Sequence, residues 1–347
     1  MNIYLDNGYL NFDAILKLKM PYIFIIGGRG TGKTYGALKY AIENDGKFIF
    51  MRRKQKQIDA ITISEFNPFQ PINRDRFLNI YPCIIRNNQY GFYNMIVGED
   101  EKMHPEGEPL GYAIALSEFS NIRGFNAPDV NLMIYDEFIQ QDDERRMKGE
   151  ANALFNAYET INRNRELEGK EPVKLICLSN SNKITNPIFM ELGLVQHVSK
   201  MIKNGKEISI LPQRKLVIIN MKNSKISEAK KDTVLYQLTR GTEFEKMAID
   251  NDYNFYESRT KSINLKELVP EVRIGEIQID RWKGHNLYYV TGKFHGSPKD
   301  IFSCSTVDIE RARRAYRELA FYYMSNNIIF ENYTNESIFA EYFQIKI

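Results

Sequence analysis

The sequence predicts an α/β protein, with a parallel-sheet domain over residues 1–197, a basic linker or lid over 198–268 and a small α+β domain over 269–347. Three observations lead there. Apolar runs at 22–26, 48–51, 130–135 and 173–178 lack the alternation of a half-exposed strand and read as strands covered on both faces. The first run passes at once into a glycine-rich turn and a helical pattern. From Val272 onward strands succeed one another and a helix follows, the order of an α+β unit.

Residues 1–20 mix Tyr4, Leu5, Tyr9, Leu10, Phe12, Ile15 and Leu16 with polar residues and read as a short segment that caps the sheet. Tyr22 to Ile26 form the first strand. Gly27-Gly28-Arg29-Gly30-Thr31-Gly32-Lys33-Thr34 then match G-x-x-x-x-G-K-[ST], and Tyr35 to Ile42 begin a helix. Strand, loop and helix are the context that a phosphate-binding loop requires. Glycines let the backbone N–H groups point inward, and the helix N-terminus adds partial positive charge. Lys33 is placed to reach the β- and γ-phosphates of a nucleotide, and the Thr34 hydroxyl to ligate Mg²⁺. Beside such a loop Tyr9 and Phe12 are candidates for base contact, core packing being the plainer role.

Lys47-Phe-Ile-Phe-Met-Arg-Arg53 is a second buried strand ending in two arginines. Short strands near Cys83–Ile85 and Phe92–Val97 flank an Asn87-Asn88 turn, and the acidic, proline-interrupted run 100–109 reads as an exposed loop. The strand Val130-Asn-Leu-Met-Ile-Tyr-Asp-Glu-Phe138 ends in Asp136-Glu137, a hundred residues after the loop. Asp136 is the candidate to hold Mg²⁺ and Glu137 the candidate to polarise the attacking water. Glu directly after Asp also marks the branch of these ATPases in which an extra strand separates the two motif strands. Glu150–Arg165 is helical by period. Val173–Leu178 is a strand leading into Ser179-Asn180, polar residues at a strand's carboxyl end, where ligands bind in open α/β sheets and where a γ-phosphate can be sensed.

Beyond 198 the character changes. Between Val198 and Lys231 nine Lys or Arg face two Glu, a stretch suited to a polyanion or to a solvated linker. Strand-like pieces at 207–211 and 215–221 precede a helix over 228–239. Strands at 272–279, 286–291 and 301–307 lead to a helix from Asp308 to Met324 that carries Arg311, Arg313, Arg314 and Arg317. The hydrophobic content of 43% and charged content of 26% are those of a globular protein, and a net charge of +3 does not by itself call for nucleic acid. No window approaches 18 uninterrupted apolar residues and no signal-peptide pattern opens the chain, so the expectation is a cytoplasmic protein without a membrane partner. Cys83, Cys177 and Cys304 are scattered and the four histidines lack ligand spacing, which leaves no disulfide framework or structural metal site.

The loop Gly27–Thr34, Phe48-Ile-Phe-Met-Arg-Arg53, Asp136-Glu137-Phe138, Asn162-Arg-Asn-Arg-Glu166, Cys177-Leu-Ser-Asn180, Asn186-Pro187 and Asp250-Asn251 together resemble one family. It comprises the DNA-packaging (encapsidation) ATPases of small podophages with linear, protein-primed genomes, distant relatives of the large terminase subunits. The resemblance implies an ASCE-type ATPase domain, related to the RecA, FtsK and terminase folds, and a C-terminal RNase H-like domain that has lost its nuclease acids. It implies a homomeric ring, a pentamer in the family, at the portal of a procapsid in the host cytoplasm, driving double-stranded DNA inward, with a structural RNA as a further partner in some members. Arg163 corresponds to the arginine offered in trans to a neighbouring subunit. Arg123 stands where the family has a lysine, also implicated in trans, so a planar fork replaces a point charge. Arg29 matches a basic residue within the loop.

Other readings stay open beside this one. A non-motor P-loop NTPase or kinase needs a mobile lid with arginines and an acceptor pocket, and no such paired signature is visible. A purely nucleotide-binding module has no need of Glu137. A terminase with a working nuclease needs clustered carboxylates for two metals, whereas Asp280, at the end of the first C-terminal strand, has no Asp-x-Asp or Asp-Glu companion.

Overall fold

The computed structural model describes residues 1–86, 89–122, 127–140, 147–180, 183–222, 224–242 and 260–345. The chain divides into two compact units, Met1–Asn182 with Lys206–Asp252, and Lys183–Gly205 with Tyr253–Ile347.

The first unit contains α1 (Phe12–Leu16), β1 (Tyr22–Gly27), α2 (Lys33–Glu43), β2 (Lys47–Arg52), α3 (Gln55–Ile61) and α4 (Gln70–Arg76). It continues with β3 (Ile80–Arg86), β4 (Gln89–Val97), β5 (Met103–Ala115), β6 (Val130–Asp136), α5 (Glu150–Asn162) and β7 (Lys174–Ser179). After α6 (Pro187–Glu191) and α7 (Val195–Lys203), which belong to the second unit, the chain returns for β8 (Ile208–Leu211), β9 (Leu216–Met221), α8 (Lys225–Lys230) and α9 (Val234–Leu238). Its nine strands form one sheet in the order β3-β4-β5-β2-β6-β7-β1-β9-β8. The six strands from β5 to β9 in that order run parallel; β4 and the edge strand β8 run against them, and β3, antiparallel to β4, points the same way as the six.

Alternate side chains of the parallel strands point to opposite faces. Ile23 and Ile25, Phe48 and Phe50, Leu132 and Ile134, Ile176 and Leu178, and Val217 and Ile219 share one core cluster with α1 and α2. On the other face Tyr22 packs on Tyr158 of α5 (ring centroids 5.2 Å apart) and Phe24 on Phe138 (5.4 Å). Both faces are therefore covered, which is why these strands read as unbroken apolar runs. Because the central strands are parallel, their carboxyl ends lie along one edge of the sheet. The register places Ile26 beside Ser179, Leu178 beside Asp136, and Tyr135 beside Met51 on that edge.

The second unit adds β10 (Leu268–Ile274), β11 (Ile277–Trp282), β12 (Tyr288–Thr291), β13 (Asp300–Phe302), α10 (Thr306–Ala315), α11 (Glu318–Met324), β14 (Ile328–Phe330) and α12 (Tyr333–Phe343). Its sheet runs β13-β10-β11-β12-β14, with β10 to β12 an antiparallel meander and β13 parallel to β10.

Several elements differ from the sequence expectation. Residues 103–109 are not loop but the start of β5, which pairs antiparallel with β4; residues 103–108 are exposed, so no apolar pattern marks this part of the strand. The expected strand 272–279 is a hairpin whose turn is Gly275-Glu276, hidden because Ile274 and Ile277 on either side are both buried. Asp280 accordingly lies within the second strand, not at the end of the first. The helix expected from Asp308 begins earlier, where Ser305 accepts from the Asp308 N–H, and breaks at Tyr316, whose hydroxyl donates to Asp300 at 2.5 Å. The helix over 228–239 is two short ones, α8 and α9. The stretch expected as linker from 198 to 268 is split: β8 and β9 complete the first sheet, while α7 clusters with the second unit.

Candidate active site

Gly30 and Gly32 lie at φ +71° and +85°, in the left-handed region that only glycine enters without steric cost. These two residues let the chain after β1 wrap back and start α2 at Lys33. Lys33 is only 4% exposed, and its ammonium donates to the carbonyls of Gly27 (2.8 Å) and Gly28 (2.7 Å) and to Thr31 Oγ1 (3.3 Å). Burial pushes its pKa down to about 8 against the pull of Glu137 and Asp136, and the charge of Lys230 pushes the same way as burial. Thr31 is itself buried and donates to the Gly28 carbonyl at 3.0 Å.

One residue along the helix, Thr34 Oγ1 lies 3.3 Å from both carboxylate oxygens of Asp136 at the end of β6. Arg52, which ends β2 beside that strand, donates to Asp136 Oδ2 at 2.7 Å. Glu137 then leaves the sheet at φ +57°, a strained conformation for a residue with a Cβ. Its neighbours hold it there. Arg53 Nη2 donates to the carbonyls of Glu137 (3.1 Å) and Phe138 (3.0 Å), and the Phe138 N–H donates to Leu178 O at 3.0 Å. Arg53 is anchored in turn by a buried ion pair to Glu150, which also accepts from the Tyr135 hydroxyl at 2.5 Å. The Glu137 side chain accepts from Asn180 Nδ2 at 2.5 Å. Burial and, after it, the charge of Asp136 raise its pKa, while Arg52 and Lys33 oppose the rise.

The structure thus gathers Gly27 to Thr34, Asp136, Glu137, Ser179 and Asn180 on one edge of the sheet, with Ser179 buried as the last residue of β7. Arg29 is exposed at the tip of the loop. Arg163 is elsewhere. It caps the far end of α5, where Asn162 Oδ1 accepts from the N–H of Val173 (2.8 Å), which precedes β7, and Arg165 Nη1 donates to Val130 O, at the start of β6 (2.9 Å). Asp136 is six residues further along β6, about 20 Å at ~3.3 Å per residue. Arg163 is exposed at the edge opposite its own phosphate loop. Arg123 lies outside the described residues. Phe12 is buried against Tyr40 (6.0 Å between centroids), whereas Tyr9 is 41% exposed next to Gly32.

Arg52, Arg53, Glu150 and Lys230 carry no motif that marks them for the site. The paired arginines closing β2 were the one local signal; the acids they meet are far along the chain and become partners only through strand order.

A lysine-bearing glycine loop after β1 and an Asp-Glu end on β6, with β7 between the two strands, make the site that of a P-loop ATPase on a mainly parallel sheet. Residues 5–344 match the family described as podovirus DNA encapsidation protein (Gp16), and the chain belongs to that family. A DNA packaging protein of Bacillus phage B103 is 28% identical over 96% of this chain and 98% of its own length. Two solved structures share the fold. A chain of the bacteriophage Phi-29 viral genome packaging motor assembly has a TM-score of 0.60 at 22% identity, over 97% of this chain and 99% of that one. A chain of the Phi-28 gp11 DNA packaging motor has a TM-score of 0.61 at 18% identity, over 99% and 100%. The protein is a phage genome-packaging ATPase. Among the described residues no helix is long and apolar enough to cross a membrane.

Proposed function

We propose that the chain works as one subunit of a homomeric ring, a pentamer as in the resembling family, seated at the portal of a procapsid in the host cytoplasm. There it couples ATP hydrolysis to the inward movement of double-stranded DNA. The observation that carries this reading is the convergence of Lys33, the Thr34–Asp136 pair and the Asn180-bound Glu137 on one sheet edge.

Within that site each group has a task. Lys33 exchanges its carbonyl partners for the β- and γ-phosphate oxygens of ATP. The hydroxyl of Thr34 and the carboxylate of Asp136 form an all-oxygen donor set that suits a hard cation, and they are the residues that would hold Mg²⁺. Bound there, Mg²⁺ neutralises charge on the phosphates. Glu137, with its pKa raised by burial, takes the proton of the attacking water. Asn180 holds the carboxylate of Glu137 and, with Ser179, relates its position to the γ-phosphate side of the site. Arg163 completes a neighbouring subunit's site, a role supported by its exposed place far from its own loop. Arg123 joins it in trans, and Arg29 meets phosphate at the loop tip.

For the C-terminal unit we infer an RNase H-like domain without nuclease activity that contacts the packaged DNA, a structural RNA or the portal. The meander of β10 to β12 with β13 parallel to β10 supports the shape. The carboxylate of Asp280 is engaged by Gln278 Nε2 (2.9 Å) and His295 Nε2 (2.9 Å), which speaks for a structural role. Arg311, Arg314 and Arg317 are exposed and suit phosphate contacts without sequence readout.

Steady-state ATPase activity with and without non-specific double-stranded DNA, measured together with size by light scattering, tests the motor reading. Stimulation by DNA or by procapsids, tied to assembly and lost in Lys33→Ala, is expected. A monomeric hydrolase indifferent to both DNA and procapsids would overturn it in favour of an ordinary P-loop enzyme.

A further inference from the structure

We propose that Lys230 is a second lysine of the ATP site, supplied in cis by α8, and that it binds the terminal phosphates alongside Lys33. The proposal rests on reading Gly27–Thr34 as an ATP phosphate loop and extends that reading to a residue two hundred positions away. Helix α8 is fastened to the loop's surroundings at both ends. At its start the Ser224 hydroxyl donates to the Gly8 carbonyl at 2.8 Å, and two residues after Gly8 the Leu10 N–H donates to Thr31 O at 3.0 Å. At its end the Lys230 ammonium donates to the carbonyl of Arg29, in the loop itself. A Cβ built on Gly30 would lie 2.6 Å from Lys230 Nζ, so this lysine sits directly over the loop's tip.

The electrostatics of that place point to an anion. Lys230, Arg29 and Lys33 bring three cationic side chains to one short loop. Burial and then the charge of Arg29 lower the pKa of Lys230, and Lys230 in turn lowers that of Lys33. The carbonyl of Arg29 is an uncharged acceptor, whereas a phosphate oxygen is anionic and adds direct Coulomb attraction to the ammonium's hydrogen bond. When ATP occupies the loop, phosphate oxygens displace that carbonyl as the partner of Lys230 and relieve the repulsion. Lys33 is shared between the β- and γ-phosphates, so a second cation above the tip adds most to the binding of the nucleotide that carries the third phosphate.

The test measures binding of ADP and of a non-hydrolysable ATP analogue, each with Mg²⁺, to the full-length chain and to Lys230→Ala, Lys230→Arg and Lys33→Ala. Lys230→Ala should weaken binding of the analogue about tenfold or more and of ADP clearly less, with Lys230→Arg recovering most of the loss. Equal loss for both nucleotides, or affinities within about twofold of wild type, would overturn the terminal-phosphate contact. If Lys33→Ala binds like wild type, the loop reading itself fails. If Lys33→Ala loses binding while Lys230→Ala keeps it, only the present inference fails. A second measurement needs no variant: the analogue should protect Lys230 from acetylation relative to exposed Lys222, and unchanged labelling would count against the contact.

Discussion

Arg53 and Glu150 form an ion pair of 2.9 Å with both side chains excluded from solvent, and the same guanidinium grips the backbone carbonyls of Glu137 and Phe138. One buried residue therefore ties the end of β2 and the start of α5 to the strained turn that presents Glu137.

Removing one partner of such a pair leaves the other charge buried and unmatched, which costs about 3–5 kcal/mol. Glu150→Ala should lower the stability of the chain by that order, read as a reduced urea midpoint. Under native conditions its turnover should fall more than its nucleotide affinity, because Glu137 loses its anchor while the phosphate loop does not. An unchanged urea midpoint would contradict the pairing.

Lys33, with a pKa near 8, makes nucleotide binding pH-linked. Phosphate oxygens favour the charged ammonium, so its pKa rises on binding. Above pH 8 the free protein holds this proton only partly and the complex holds it more fully. Binding should then take up as much as one proton, and affinity should decline as pH rises further. Calorimetry in two buffers of different ionisation enthalpy gives the proton count, and a count of zero at pH 9 contradicts the expectation.

Glu137 acts as the deprotonated base and its pKa is raised, chiefly by burial and next by Asp136. Hydrolysis is lost as pH falls through that raised value, so the acid limb of the kcat profile should lie above the usual glutamate range. Asn180→Asp places a second negative charge against the carboxylate and should move the limb higher still. Glu137→Gln should bind ATP and hydrolyse almost none. A limb at the ordinary glutamate value in wild type would separate Glu137 from the rate.

Arg163 stands at the wrong edge of the sheet to serve its own loop. Arg163→Ala should cost of order 10³-fold in turnover of the assembled motor, by the measure of other arginine fingers. Mixing Arg163→Ala with Glu137→Gln subunits should restore part of the activity, since some interfaces then unite an intact arginine with an intact glutamate. Mixtures as inactive as their parents would rule out action in trans.

Much of this site was legible because its chemistry is local. Gly27 to Thr34 are contiguous, and a loop that wraps phosphate needs glycines at fixed offsets, so the motif carries its own geometry. Asp136-Glu137 was recognisable because a strand buried on both faces announces itself by an unbroken apolar run. The first half of β5 was not, since a solvated strand leaves no such trace, and the hairpin at Gly275-Glu276 was masked by buried isoleucines on both flanks.

What the amino-acid sequence determined by itself is the class of chemistry: a phosphate loop after a buried strand and an acidic pair at the end of another. What only the tertiary structure decided is who meets whom along the carboxyl edge of the sheet. Arg52 reaches Asp136, Arg53 reaches Glu150 and the turn at Glu137, Asn180 reaches the Glu137 carboxylate, and Lys230 reaches the loop. These partners are separated by tens to hundreds of residues, and no periodicity links them. They are brought together because parallel pairing aligns strand ends from distant parts of the chain, and strand order is a property of the folded sheet, not of any one segment.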